Sequence, residues 1–302
     1  MKNLVYKTIL LFFILNGLLL AEKVALINWN RDGLFENGFR NEILDNFKNI
    51  RFYSFSCNKD EFLLREYIKF VKKLDVDLIY AVGFPVVKTI SENFFYTPVV
   101  FVMHHDPVEA GIVASYKSSE NNLTGVVAKI PILQQLKTVK KIVDFRKVGI
   151  IENKGDFEYR LSLKELTRLE KFFNFKTVVL RDNENTENIF QSERLDILYI
   201  FKSQKINKSL IDLANSFGIL TLAADSDVVK NKGALISLVV DEYRVGRLAG
   251  KKAVEILNGK RTSKIPITTI EHFMLVINMK TAKKINVDIP LSLLIMTDKI
   301  IK

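Results

Sequence analysis

The chain has 302 residues, enough for two ordinary domains. Its 48% hydrophobic and 26% charged residues are usual for a globular protein and argue against a largely disordered chain. The formal net charge of +11 permits anionic partners, but the basic residues are scattered and accompany no nucleic-acid-binding motif, so no nucleic-acid partner is expected. Cys57 is the single cysteine, which excludes an intrachain disulfide and a Cys-based metal centre.

The N-terminal segment has the composition of a targeting sequence. Lys2 and Lys7 precede an apolar run over residues 8–20, and the small residue Ala21 follows, which together predict a secretory signal peptide over residues 1–21. The run is short for ~30 Å of hydrocarbon, although an uncleaved anchor remains the alternative. Because no cysteine ends the segment, we predict a periplasmic protein that is not a lipoprotein.

In the first half of the chain, strand and helix patterns alternate. Strand patterns occupy residues 23–27, 50–56, 77–82 and 99–103, the last typical of a strand buried on both faces, and residues 121–127 predict a turn followed by a strand. Helical patterns occupy residues 34–47, 59–74 and a stretch that starts near residue 86. Residues 108–114 are small and apolar and predict a short helix or turn. This β-α-β-α order predicts a parallel, doubly wound sheet.

The second half repeats the pattern. Strands are predicted at residues 147–151, 176–180, 196–201, 219–223, 234–239 and 273–277, and helices at 131–143, 159–173, 184–192, 207–217, 241–257 and 280–284. Two successive units of this kind predict an α/β fold with two doubly wound, Rossmann-like lobes and a cleft between them.

The candidate ligand-binding residues follow the predicted strands, since open parallel sheets bind ligands at the carboxyl ends of their strands. They are Asn28, Trp29, Gly83, Phe84, Pro85, His105, Asp106, Glu152, Asn153, Lys202, Asp225 and Asp241.

These side chains suggest an amino-acid ligand. Trp29 sits in a polar loop and can form an aromatic wall, and Phe84 can form another, although Phe84 is equally suited to an ordinary core position. The glycine turn before the helix near residue 86 offers backbone N–H groups to a carboxylate. The acidic residues can hold an ammonium group or cap the following helices, and for Asp106 we slightly favour the structural role.

Catalytic and cofactor motifs are lacking in the sequence. No nucleophile elbow, zinc-protease motif or phosphate-binding loop occurs. His104 and His105 are adjacent on a strand and should point to opposite faces, so they make a poor chelating pair. We therefore expect no enzyme activity, cofactor or metal.

Two segments carry a family resemblance. The first contains Asp106-Pro107-Val108, Ala110-Gly111, Val113-Ala114-Ser115 and Asn122-Leu123-Thr124-Gly125-Val126, and the second runs from Leu275 to Lys284 and continues at Ile289–Leu294. They resemble the signatures of ABC transporter substrate-binding proteins of the tryptophan/tyrosine type.

The resemblance implies a type I periplasmic-binding-protein fold with several hinge crossings. Lobe 1 would comprise residues 22–127 and 241–262, and lobe 2 residues 128–240 and 263–302. The protein would bind an aromatic or other apolar amino acid in the interlobe cleft and, as a monomer, deliver it to an ABC permease. The alternatives are the ligand-sensing subunit of a membrane receptor or kinase and, less favoured, a periplasmic α/β enzyme.

Overall fold

The computed structural model describes residues 21–31, 33–181, 185–201, 204 and 206–302. The predictions made for the signal segment before Ala21 and for Lys202 lie outside the described residues. The chain forms two compact units: one runs up to Lys129 and includes Glu242–Ile270, and the other combines Ile130–Asp241 with Glu271–Lys302.

The strands, in chain order, are β1 (Glu22–Asn28), β2 (Ile50–Ser56), β3 (Leu78–Val82), β4 (Val99–Met103), β5 (Leu123–Val127), β6 (Lys147–Ile151), β7 (Lys176–Leu180), β8 (Ile197–Ile200), β9 (Leu220–Ala223), β10 (Ile236–Val239), β11 (Thr268–Thr269), β12 (Met274–Asn278) and β13 (Lys299–Ile301).

The α-helices are α1 (Leu34–Asn46), α2 (Glu61–Leu74), α3 (Phe84–Ser91), α4 (Ile132–Lys140), α5 (Phe157–Phe173), α6 (Thr186–Glu193), α7 (Lys208–Ser216), α8 (Ser226–Lys232), α9 (Glu242–Leu257), α10 (Met279–Lys284) and α11 (Leu291–Ile295), with a 3₁₀ turn at Thr262–Lys264.

The sheet of the first unit is parallel and has the strand order β11-β5-β4-β3-β1-β2. Every residue of β3 and β4 is buried, as their unbroken apolar sequences predict for strands covered on both faces. The carboxyl ends of β4, β3 and β1 lie side by side, so three loops meet at one edge of this sheet.

The sheet of the second unit has the order β13-β12-β10-β9-β8-β6-β7. Its neighbouring strands pair in parallel except for β10 and β12, which are antiparallel. The sequence predicted every strand of this sheet except β13, and it did not predict the antiparallel pair. The prediction also missed helix α8, whose first turn is capped by the Asp225 side chain.

The first unit extends beyond the residue at which lobe 1 was predicted to end. Residues 263–302 were assigned to lobe 2, whereas the first unit continues to Ile270. The reason is strand β11, which pairs with β5 and adds this segment to the first sheet. The first unit therefore ends at Ile270, whereas lobe 1 was predicted to end at residue 262.

Two helices that are distant in sequence pack closely in the first unit. Arg247 on α9 places its Nε 2.6 Å from Glu42 and its Nη1 2.5 Å from Asp45, both on α1. Gly246 faces the backbone of α1, where any Cβ would overlap the carbonyl oxygen of Phe35. Only glycine allows this approach, which explains the glycines inside α9.

Lys252, on the buried side of α9, donates its ammonium hydrogen to the carbonyl oxygen of Pro266, just before β11. Burial lowers the pKa of Lys252 to about 8, an effect that nearby Lys260 reinforces and Glu255 opposes.

The low pKa of Lys252 predicts a pH dependence of folding. Between pH 8 and the ordinary lysine value of about 10.4, the unfolded chain binds a proton that the folded chain has lost. The free energy of unfolding should therefore rise with pH in this window, by on the order of 3 kcal/mol. In Lys252→Met this rise should be absent in urea titrations, whereas exposed Lys251→Met should keep it. An equal rise in both variants would contradict the assignment.

The described part of the chain has no helix that is both long and apolar enough to cross a bilayer.

Candidate ligand-binding site

Backbone hydrogen bonds join the three loops at the carboxyl edge of the first sheet. The N–H of Trp29, after β1, donates to the carbonyl of Val82 at 2.9 Å, and the N–H of Gly83, after β3, donates to that of Val102 at 2.9 Å. Asn28, Trp29, Gly83 and the residues that follow β4 are thus held on neighbouring strand ends.

Gly83 is required both by its backbone and by its neighbour. It has φ of 97°, and a Cβ there would lie 2.7 Å from the Cβ of Trp29. It precedes α3 without a side-chain cap, and Pro85 follows within the first turn. The N–H of Gly83 is bonded to β4, so this N–H is not available to a ligand carboxylate. This differs from the prediction that the glycine turn would offer its N–H groups to a carboxylate.

Phe84 and His105 form an aromatic pair beside this turn. Their ring centroids are 5.2 Å apart, and His105 is 9% exposed. His104 points the other way: its ring lies 6.1 Å from that of Phe35, and its Nδ1 is 2.7 Å from the carbonyl oxygen of Ala128. The two histidines therefore face opposite sides of the sheet, as predicted. Trp29, Phe84 and His105 supply aromatic surface for a flat or apolar group.

Asn28 ends β1 and is 4% exposed. Its Nδ2 donates to the carbonyl oxygen of Arg31 at 2.8 Å and to Oε1 of Glu36. Glu36, in the first turn of α1, is 2% exposed, and its Oε2 accepts the N–H of Gly33 at 2.6 Å. A buried carboxylate thus organises the loop that carries Trp29.

The carboxylate of Asp106 is used within its own loop. Its Oδ1 accepts the N–H groups of Val108 and Glu109 at 2.8 and 3.0 Å, and its Oδ2 accepts the Tyr116 hydroxyl at 3.1 Å. Burial, together with this hydrogen bond, raises the pKa of Tyr116 to about 12. The geometry favours the structural role of Asp106.

Asp106→Ala should therefore lower the free energy of unfolding by about 1–2 kcal/mol, because it removes the turn cap and the Tyr116 bond. Ligand affinity should stay nearly intact in calorimetric titrations. Tyr116→Phe, which removes only one of the three hydrogen bonds, should have a smaller effect. A large loss of affinity at unchanged stability would instead place Asp106 on the ligand.

In the second unit, Glu152 follows β6 and is flanked by cations. Its Oε1 lies 3.3 Å from the Lys154 ammonium and 3.8 Å from Nε of Arg181, which follows the adjacent strand β7. Buried Tyr159 lies near this carboxylate; burial and the charge of Glu152 raise the pKa of its hydroxyl. Glu152 thus has protein cations beside it, whereas its sequence position predicted either a ligand ammonium or the cap of the next helix as its partner.

The remaining candidates of the second unit follow parallel strands at the same edge of that sheet. Asp225, after β9, caps α8 through a 2.8 Å bond from the N–H of Asp227. The carbonyl of Asn153, after β6, accepts the N–H of Asp156 at 3.1 Å. Asp241 follows β10 and is half-buried. The structure brings these residues to one edge without making them a single cluster.

Sequence reasoning missed several residues of these edges. Glu36 had a signal, because an acidic residue three positions after a helix N-cap is typical of a capping box. Tyr116 and Arg181 had none, since their partners lie 10 and 29 positions away. Gln204 also had none: its side chain donates to the carbonyl of Ile151 and accepts the N–H of Phe201 at 2.9 Å.

Comparison with protein families gives a match over residues 26–301 to the family described as ABC transporter substrate binding protein. A protein of Clostridioides difficile named tyrosine-binding protein is 28% identical over 219 residues, which are 70% of this chain. The chain spans only 63% of the length of that relative.

Solved structures share the architecture. An ABC domain from Streptococcus pneumonia in complex with L-Trp aligns over 93% of this chain and 99% of its own, with TM-score 0.78 and 18% identity. The ligand-free, open form of a Clostridium difficile substrate binding protein with adhesive properties has the same coverage, TM-score 0.76 and 19% identity. At these identities the likenesses establish the fold alone, and they confirm the predicted type I periplasmic-binding-protein class.

Proposed function

The chain belongs to the ABC transporter substrate-binding protein family, and we propose that it binds an aromatic amino acid and delivers it to an ABC permease in the membrane. The observation that carries the proposal is the group formed by Trp29, Phe84 and His105 on adjoining strand ends of the first unit. The relative named a tyrosine-binding protein and the similar structure that holds L-Trp support this choice of cargo.

The physical basis is that these residues are complementary to the aromatic ring of an amino acid and to its charged ammonium and carboxylate groups. Trp29 and Phe84 provide flat apolar surface, which is favourable for a side chain of matching shape. The amide of Asn28 and the start of α3 provide polar groups for the ammonium and carboxylate. The protein should release its ligand chemically unchanged. The cleft between the lobes and the monomeric state of the protein remain predictions.

Native mass spectrometry of the freshly purified protein tests the proposed cargo. We expect an added mass equal to L-tryptophan, L-tyrosine or L-phenylalanine, which should be lost on denaturation. A carried-over molecule of another class, such as a sugar, would contradict the proposal. An empty protein that also fails to bind all three added amino acids would do the same.

The proposal includes export, because the basic and apolar residues before Ala21 have the composition of a signal peptide. N-terminal sequencing of the protein collected outside the cytoplasm should begin near Glu22. If Lys2 to Leu20 were intact in that material, the segment would be a retained anchor.

A further inference from the structure

The orientation of the Asn28 amide is fixed by its neighbours. The same side-chain atom of Asn28 lies within hydrogen-bond distance of the Arg31 carbonyl oxygen and the Glu36 carboxylate. The Arg31 carbonyl can only accept a hydrogen bond, so the side-chain atom that faces it must be the amide nitrogen, and Glu36 Oε1 accepts from the same nitrogen. Both hydrogens of Nδ2 are thereby directed into the protein.

This arrangement determines which ligand groups Asn28 can bind. Once Nδ2 is engaged, the only other polar atom of the side chain is Oδ1, which is an acceptor. Asn28 lies next to Trp29 at the strand end, and the two hydrogen bonds of Nδ2 hold its amide in one orientation. It can therefore receive a hydrogen bond from a ligand but cannot donate one to a ligand carboxylate.

We propose that Glu36 is a positioning residue that orients the Asn28 amide, so that Asn28 Oδ1 accepts a hydrogen bond from the α-ammonium group of the ligand. The inference rests on the proposed function, because it concerns how an amino acid is distinguished from its analogue without an amino group. Glu36 does not touch the ligand in this arrangement; it acts through Asn28.

The fold holds Glu36 in place for this task. Its carboxylate accepts the Gly33 N–H at 2.6 Å and lies in the first turn of α1, where the helix dipole favours negative charge. These interactions offset the cost of burying a carboxylate that is 2% exposed. Gly33 and Asn28 donate to different oxygens of Glu36, and a neutral amide replaces one of these oxygens by an NH2 group, so one of the two donors would then face a donor.

The test compares two ligands that differ only in the ammonium group: L-tryptophan and indole-3-propionate, or L-tyrosine and 3-(4-hydroxyphenyl)propionate if tyrosine binds more tightly. Calorimetric Kd values should show that the wild-type protein prefers the amino acid by about a hundredfold or more. In Glu36→Gln this preference should fall by at least about tenfold, because the Asn28 amide loses its fixed orientation.

Glu42→Gln is the matched control, since Glu42 is also a buried carboxylate on α1 but pairs with Arg247 away from the strand end. It should keep the wild-type preference even if its melting temperature falls. A merely structural role for Glu36 would weaken both ligands equally, and that result would overturn the inference.

Asn28→Leu provides a second variant if Glu36→Gln does not fold, and it should lose the preference in the same way. The wild-type protein alone also decides: equal affinity for the amino acid and its analogue would overturn the inference while leaving aromatic binding intact. Failure to bind either aromatic amino acid would instead refute the proposed function.

Discussion

Gly246→Ala is expected to lower the free energy of unfolding by about 3 kcal/mol or more. The added methyl group would overlap the carbonyl oxygen of Phe35, an atom of helix backbone that cannot rotate away. Relief requires α9 to move from α1, which would stretch the pairs of Arg247 with Glu42 and Asp45. Overpacking of this kind ordinarily costs about 1–3 kcal/mol, and backbone contact places this site at the upper end.

Urea denaturation followed by circular dichroism measures the effect. Gly155→Ala is the matched control, because a Cβ at Gly155 has nothing within 4 Å. That control should change the free energy of unfolding by less than about 0.5 kcal/mol. Similar stability of the two variants would show that α1 and α9 are farther apart than described.

Trp29→Ala is expected to weaken binding of the aromatic amino acid by about 1–3 kcal/mol, or roughly 5- to 150-fold in Kd. Trp29 lies beside Gly83 and is only partly buried, so its ring has surface left for a ligand. As the single tryptophan, it should also report binding through a shift of its fluorescence.

Phe62→Ala is the control for this experiment. Phe62 is an aromatic residue of the first unit that is 68% exposed on α2. Its removal should leave both affinity and the fluorescence shift unchanged. If Trp29→Ala and Phe62→Ala bound the ligand equally well, the loop after β1 would not contact the ligand.

The long apolar runs allowed most of the fold to be predicted. Strands such as β3 and β4 are apolar runs of five residues, too short for a typical helix and bounded by Asp77, Gly83 and Pro98, so their length identifies them as strands. The two-residue strand β11 could not be predicted in this way. Strand β11 forms because Thr268 and Thr269 pair with β5. This pairing is a tertiary contact between residues distant in sequence, so it leaves no local sequence pattern.

For the candidate site, the sequence could predict which strand ends carry the residues, but not how their side chains are arranged. The principle that ligands bind after parallel strands places Trp29, Phe84 and His105 at one edge, because β1, β3 and β4 are neighbours. The roles of the acidic residues were only partly predictable: the structural role favoured for Asp106 agrees with its hydrogen bonds, whereas the contact of Glu36 with Asn28 was not predicted. A capping carboxylate such as Asp106 and a positioning carboxylate such as Glu36 differ only in their three-dimensional partners.

Isothermal titration of the purified protein with L-tryptophan and L-tyrosine, followed by recovery and chromatography of the ligand, tests whether the protein binds an aromatic amino acid without converting it. We expect saturable binding of at least one of them at one site per chain, with all ligand recovered chemically unchanged. No binding of either amino acid, or conversion of the ligand to a product, would contradict it.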